Sequence, residues 1–183
     1  MILSRFRYGV LLGAALGLGA LFAAGGVFAG NDKPNSLVGK PAPSFELVQP
    51  DGRPLSLGSA LQSGRAVLVN MWGIRCGACL VEMKHLNVLH KKYRDEGLRI
   101  IGINVDGVGA ASLRDYMAGM EVRPEYPVVA DPKMSAIDSY RMEGAPLTIF
   151  IDKAGVVVER HEGFSEGDEK QIEAIIRKTL EMK

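Results

Sequence analysis

The sequence predicts an α/β fold with a mixed sheet between helices, and three observations carry that reading. Two continuous apolar runs of strand length, "AVLVNM" (Ala66–Met71) and "RIIGINV" (Arg99–Val105), look like strands buried on both faces. Between them, Leu80 to Arg94 contains no Gly or Pro and is rich in helix formers, with Gly97 closing the segment. Strand, helix and strand with short connections make a βαβ unit, whose crossover is almost always right-handed. Towards the C-terminus, "LTIFID" and "VVVER" flank Lys153-Ala154-Gly155, a hairpin in which Gly155 supplies the turn.

The remaining elements follow along the chain. "GKPAPSFELVQPDGRPLSL" reads as extended segments around a turn at Pro50-Asp51-Gly52. Leu113, Tyr116, Met117 and Met120 recur at helical spacing, which predicts a helix over Ser112–Met120. "YPVVAD" (Tyr126–Asp131) is a short strand, followed by a helical turn through Ile137. Ser165 and Asp168 form a capping-box-like start, and Ile172, Ile175, Ile176 and Leu180 trace the inner face of a last helix.

The first residues belong to a different class of segment. "MILSRFR" is a short basic stretch followed by an uncharged run from Tyr8 to Asn31, the pattern of a secretory signal or an N-terminal membrane anchor. The Gly25-Gly26 break and the small residues of Val27-Phe28-Ala29 favour cleavage. The length, and Gly9, Gly13 and Gly17 at membrane-helix pairing spacing, favour an anchor. No twin-arginine pair is present, and no cysteine is available there for lipidation. The expected organisation is a signal peptide or anchor over residues 1–29, a polar linker over 30–40, and one domain over 41–183. Either form of the first segment puts the domain outside the cytoplasm, where disulfides can form.

Composition excludes some partners. With 183 residues, 22 Lys plus Arg against 21 Asp plus Glu, the chain has no basic field of the kind that binds nucleic acid. Its chemistry is concentrated in "WGIRCGAC" (Trp72–Cys79), which holds both cysteines of the chain.

Two cysteines so spaced can be a redox pair, half of a metal site, or inert thiols. With Cys76 at the first turn of the helix that runs to Arg94, the apolar face passes through Met83, Leu86, Leu89 (or His90) and Tyr93. Cys79 lies four residues before Met83 and falls on that buried face, which leaves Cys76 exposed at the helix mouth. The helix dipole, the free N–H groups and Arg75 all favour a thiolate at Cys76. Glu82, one turn beyond Cys79, reads either as a solvated helix residue or as a carboxylate that shuttles the second thiol's proton. A structural zinc site needs four ligands, and His85 and His90, five apart, do not share a helical face. Copper(I), which two soft ligands can hold, stays open, with Met71 and Met83 nearby.

The stretch "VLVNMWGIRCGACLVEM" resembles the active-site strand and helix of thioredoxin-like thiol–disulfide oxidoreductases, of the extracytoplasmic TlpA/ResA/CcmG type. "VGKPAPSFEL" resembles that family's opening, and "GAPLTIFIDKAG" its cis-proline segment, so the likeness covers the chain from about Leu37 onward. It implies a thioredoxin-like fold, a central mixed β-sheet flanked by helices, with an N-terminal extension and a mid-chain αβ insertion. It further implies that Cys76 and Cys79 form the redox disulfide, Cys76 as nucleophile and Cys79 as resolving thiol. Pro146 would be the cis-proline facing that disulfide, with Ala145, Trp72 and Arg75 on the substrate-facing side, and Glu82 matches a glutamate of this branch. Asn70 stands where cytoplasmic thioredoxins keep a buried Asp. Arg75 replaces a second Trp, Gly77-Ala78 lacks the common proline between the cysteines, and Ala145 is small.

The function so implied is an exported reductant of disulfides in substrate proteins, with apocytochrome c as the family's substrate and a membrane thiol–disulfide protein as electron donor. No cofactor or metal is implied beyond the cysteine pair. A disulfide oxidase or isomerase, or a copper(I) chaperone, are the alternatives. A peroxiredoxin is excluded, since Val69 and Gly73 stand where its Pro and its Thr or Ser would be.

Overall fold

The computed structural model describes residues 37–182, so the expected signal or anchor over 1–29 and most of the linker lie outside the described residues. Seven strands form one mixed sheet: β1 (Glu46–Val48), β2 (Pro54–Ser56), β3 (Ala66–Trp72), β4 (Leu98–Asn104), β5 (Val128–Ala130), β6 (Leu147–Asp152) and β7 (Val157–Glu162). Their spatial order is β2-β1-β5-β4-β3-β6-β7. The helices are α1 (Leu57–Ser63), α2 (Gly77–Tyr93), α3 (Ala110–Ala118), α4 (Ser135–Ser139) and α5 (Asp168–Glu181).

β3 and β4 pair in parallel through the α2 crossover, whereas β6 runs antiparallel to β3 and turns back into β7. The hairpin turn needs a positive φ, and Gly155 supplies it at +81°. β3 is central and every one of its residues is buried, which explains why its sequence is apolar without alternation. Alternate residues nevertheless serve different layers. Leu68 and Trp72 pack with Met83, Leu86, Leu113 and Ile176, under α2, α3 and α5. Val67, Val69 and Met71 pack with Leu57, Ala60, Ala136 and Tyr140, under α1 and α4.

The predicted architecture holds, with local corrections. α1 is an addition to the sequence reading, because seven residues with Gly58 and two serines carry little helical periodicity. Its signal is a reciprocal capping box, in which Ser59 N donates to Ser56 Oγ at 3.1 Å and Ser56 N to Ser59 Oγ at 3.3 Å. α3 begins two residues earlier than expected, and β5 is only three residues long. The capping-box start of α5 is also corrected. Gly167 is the N-cap residue, with φ 104°, and the Ser165 side chain does not cap. The Asp168 carboxylate instead accepts from Ser165 N at 2.8 Å, while Glu169 accepts from Gly167 N at 2.8 Å. Both acidic side chains turn back on the chain before the helix. Ile175 is half-buried, and Thr179 joins Ile172, Ile176 and Leu180 on the inner face.

Candidate active site

β3 delivers the chain to the carboxyl edge of the sheet, and residues 73–75 carry it into α2. Cys76 is the N-cap of that helix, with an extended backbone at φ −101°, ψ 98°, and its sulfur accepts from Cys79 N at 3.2 Å. A sulfur at this place sits among the helix's unpaired N–H groups and at the positive end of its dipole, both of which favour an anion. Cys76 and Cys79 are joined by a disulfide, with an S–S distance of 2.05 Å. Cys79 is 1 % exposed. Cys76 is half-buried, less open than the sequence suggests, because the helix mouth packs against the surrounding core.

Glu82 follows Cys79 by three residues and so shares its helix face. It is 1 % exposed, which rules out the solvated-residue reading. Asn70 Nδ2 donates to its Oε2 at 2.7 Å, and Thr148 Oγ1 donates to its Oε1 at 2.8 Å. Asn70 Nδ2 also donates to Thr148 Oγ1 at 3.0 Å, which closes a triangle of three buried polar side chains. Asn70 and Thr148 are direct partners across β3 and β6, so the sheet itself fixes their separation. Burial pushes the Glu82 carboxyl up to about 7. The bonds from Thr148 and Asn70 pull it down without cancelling that effect, and the charge of Asp168 adds to the rise.

The loop before Cys76 is fastened on both sides of one residue. Ile74 N donates to Asp106 Oδ2 at 2.7 Å, and Tyr116 Oη donates to the Ile74 carbonyl at 2.9 Å. Asn104 Nδ2 holds the same Asp106 oxygen at 2.7 Å. Asp106 and Tyr116 come from the mid-chain αβ segment, which thus reaches the site. Arg75 is exposed beside this loop.

On the other side, Leu147 pairs with Met71, which puts the start of β6 next to the end of β3. The Ala145–Pro146 peptide is cis. Pro146 is buried, and its carbonyl accepts from Gly163 N at 2.7 Å, while Ala145 is exposed. Trp72 does not face a substrate as expected. It is wholly buried in the layer of Met83, Leu86 and Leu113, and Gly102 makes room for it: a Cβ there would lie 3.3 Å from Trp72 Nε1.

The structure therefore brings Cys76, Cys79 and Glu82 together at the start of α2, with Arg75, Ala145 and Pro146 on the two flanking loops. Thr148, Asp106 and Tyr116 join the site without any expectation from the sequence, in which Asn70 stands only as the replacement of an aspartate. Thr148, Asn70 and Asn104 share one available signal, a polar residue inside an otherwise apolar strand. Among the described residues, no group of three or more His, Cys, Asp or Glu side chains is placed to hold a metal ion. Chemically, the arrangement suits exchange between a dithiol and a disulfide, with a buried carboxyl that changes protonation near neutrality.

Comparison with known proteins agrees with this geometry. Residues 38–160 match the AhpC/TSA family. The thiol-disulfide oxidoreductase ResA of a Bacillus cereus strain is 31 % identical over 147 residues, covering 80 % of this chain and 81 % of that protein. ResA of Bacillus subtilis is 30 % identical over 154 residues, 84 % of this chain and 81 % of that one. The crystal structure of a putative thiol:disulfide interchange protein DsbE from Chlorobium tepidum superposes with a TM-score of 0.70. It is 28 % identical and the match covers 78 % of this chain and 97 % of that one. The chain therefore belongs to the AhpC/TSA family as a thioredoxin-like thiol–disulfide oxidoreductase of the ResA-like branch.

Proposed function

We propose that the protein works outside the cytoplasm as a reductant of disulfides in substrate proteins, with Cys76 as the attacking thiol and Cys79 as the resolving one. The observation that carries this assignment is the asymmetry of the pair: Cys79 is sealed in the core beside Glu82, while Cys76 sits at the helix mouth. In the reduced protein, the Cys76 thiolate attacks one sulfur of a substrate disulfide. A mixed disulfide forms and the other substrate sulfur leaves as a thiolate. Cys79 then gives its proton to Glu82 and attacks the Cys76 sulfur. The Cys76–Cys79 bond closes, the second substrate sulfur leaves, and two electrons have passed to the substrate.

A membrane thiol–disulfide protein would restore the dithiol by the same exchange in reverse, and the proton on Glu82 would return to Cys79. Pro146 and Ala145 receive the substrate chain, and Arg75 adds a positive charge beside the nucleophile. The basic, then apolar, N-terminal segment supports export, and the family resemblance supports apocytochrome c cysteines as substrate.

The reduction potential of the Cys76–Cys79 couple, measured by equilibration with defined thiol buffers, tests the direction of electron flow. A value near or below roughly −230 mV supports the reductant. A value near about −120 mV makes the protein a disulfide donor instead.

A further inference from the structure

Residues 141–146 form the loop that leads into β6, whose first residue, Leu147, pairs with Met71 near the end of β3, and two side chains of β7 hold it. Arg160 Nη1 donates to the Tyr140 carbonyl at 2.9 Å, and its Nη2 donates to the Arg141 carbonyl at 2.8 Å and to Glu162 Oε2 at 2.9 Å. Glu162 Oε1 accepts from the N–H of Glu143 at 2.7 Å and of Gly144 at 2.8 Å. The guanidinium fork and the Glu162 carboxylate thus engage four points of backbone between Tyr140 and Gly144. Their side chains are only 16 % and 21 % exposed, so salt screens this pair less than an open surface pair.

The rest of the loop is tied by backbone. Arg141 N donates to the Asp138 carbonyl, Met142 N to the Ile137 carbonyl, and the Pro146 carbonyl accepts from Gly163 N. Among residues 141–146, Ala145 alone makes no hydrogen bond with any described residue, and it is exposed. The β6–β7 ladder is built from backbone pairs and does not need the Arg160–Glu162 pair. What the pair adds is a fixed shape for a loop that has no ladder of its own.

We propose that Arg160 and Glu162 are positioning residues for substrate: they clamp residues 140–144 so that Ala145 is presented beside the disulfide as the unpaired backbone on which an extended segment of a substrate protein docks. Main-chain pairing of this kind gives affinity to any extended chain, and the small Ala145 side chain leaves room for bulky neighbours of the substrate cysteine. The inference rests on the reading above that substrate meets the protein at Ala145 and Pro146.

The test compares two disulfides with the full chain: a short synthetic peptide closed by one disulfide, and hydroxyethyl disulfide, which has no chain to dock. Clamp variants are Glu162→Ala, Glu162→Gln and Arg160→Gln. Glu162→Ala and Arg160→Gln are expected to raise KM for the peptide about ten-fold, the scale of one charge-assisted hydrogen bond, with no comparable change for the small disulfide. Glu162→Gln retains part of the effect, since its carbonyl can still accept from Glu143 and Gly144. If Glu162→Ala does not fold, Glu162→Gln and Arg160→Gln carry the comparison. Equal effects on both disulfides, or none, overturn the clamp. A wild-type protein that reduces the small disulfide but does not saturate with peptide overturns the docking reading and the clamp with it. A wild-type protein that reduces neither overturns the proposed reductant function itself.

Discussion

Asn70 Nδ2 lies 2.7 Å from Glu82 Oε2, a bond that ties the strand before the cysteines to the helix that carries them. Asn70 is a donor to that carboxylate and cannot itself become charged. The buried triangle therefore holds one acid, not a pair. Were residue 70 an aspartate, two carboxylates would compete for one proton, and one of them would be driven strongly upward.

Glu82→Gln is expected to slow dithiol–disulfide exchange by about a hundred-fold at pH 8, the lower end of what a positioned proton acceptor contributes. It should also remove an inflection near pH 7, where the Glu82 carboxyl changes protonation. Exchange rates with a peptide disulfide across the mildly acidic to mildly alkaline range check both. An unchanged profile would remove Glu82 from the reaction.

The same carboxyl makes stability depend on pH in a stated direction. Its folded value, about 7, lies above its ordinary 4.5, so between these values the folded chain holds a proton that the unfolded chain has released. This contribution is fully present below about pH 4.5 and is lost as pH rises through about 7. Denaturant unfolding of the disulfide form should show Glu82→Gln gaining about 2–3 kcal/mol on the parent between about pH 5 and 8. Taking the difference between the two proteins cancels other groups, such as Glu162, where hydrogen bonds outweigh the upward push of burial and hold the carboxyl below its ordinary value.

Thr148→Val keeps the shape of the side chain and deletes the hydroxyl that donates to Glu82 Oε1. The ionised carboxylate loses a donor in a dry place, at a cost of about 2 kcal/mol at pH 8 and less at pH 5. The exchange profile should shift to higher pH, opposite to the flattening caused by Glu82→Gln.

Asp106→Ala releases the Ile74 N–H and the Asn104 side chain. Because Asp106 is exposed, water replaces part of what is lost, and the stability cost should be about 1 kcal/mol. The larger effect is local. Amide hydrogen exchange at Ile74 and Cys76 should accelerate, while exchange in β3 stays slow.

Much of this was legible in the sequence for physical reasons. β3, β4 and β6 announce themselves because a strand buried on both faces is mostly apolar without alternation, and α2 because Leu80 to Arg94 holds no Gly or Pro. The helix mouth at Cys76 follows from the same segment. α1 escaped because its stability lies in a cap and in Leu57 and Ala60 packing on the sheet, not in periodicity. Glu82 could be placed on the right face, but its burial depends on Asn70 and Thr148, which only strand register brings together. The Arg160–Glu162 clamp was invisible for a related reason: its targets are backbone atoms, which carry no sequence signal.

The most direct test of the central claim is capture of a substrate disulfide by single-cysteine variants. With a peptide disulfide, Cys79→Ser should accumulate a stable mixed disulfide through Cys76, because nothing remains to resolve it. Cys76→Ser should accumulate almost none, since Cys79 is buried. Equal capture by both variants, or capture through Cys79 alone, would contradict the assignment of Cys76 as the attacking thiol.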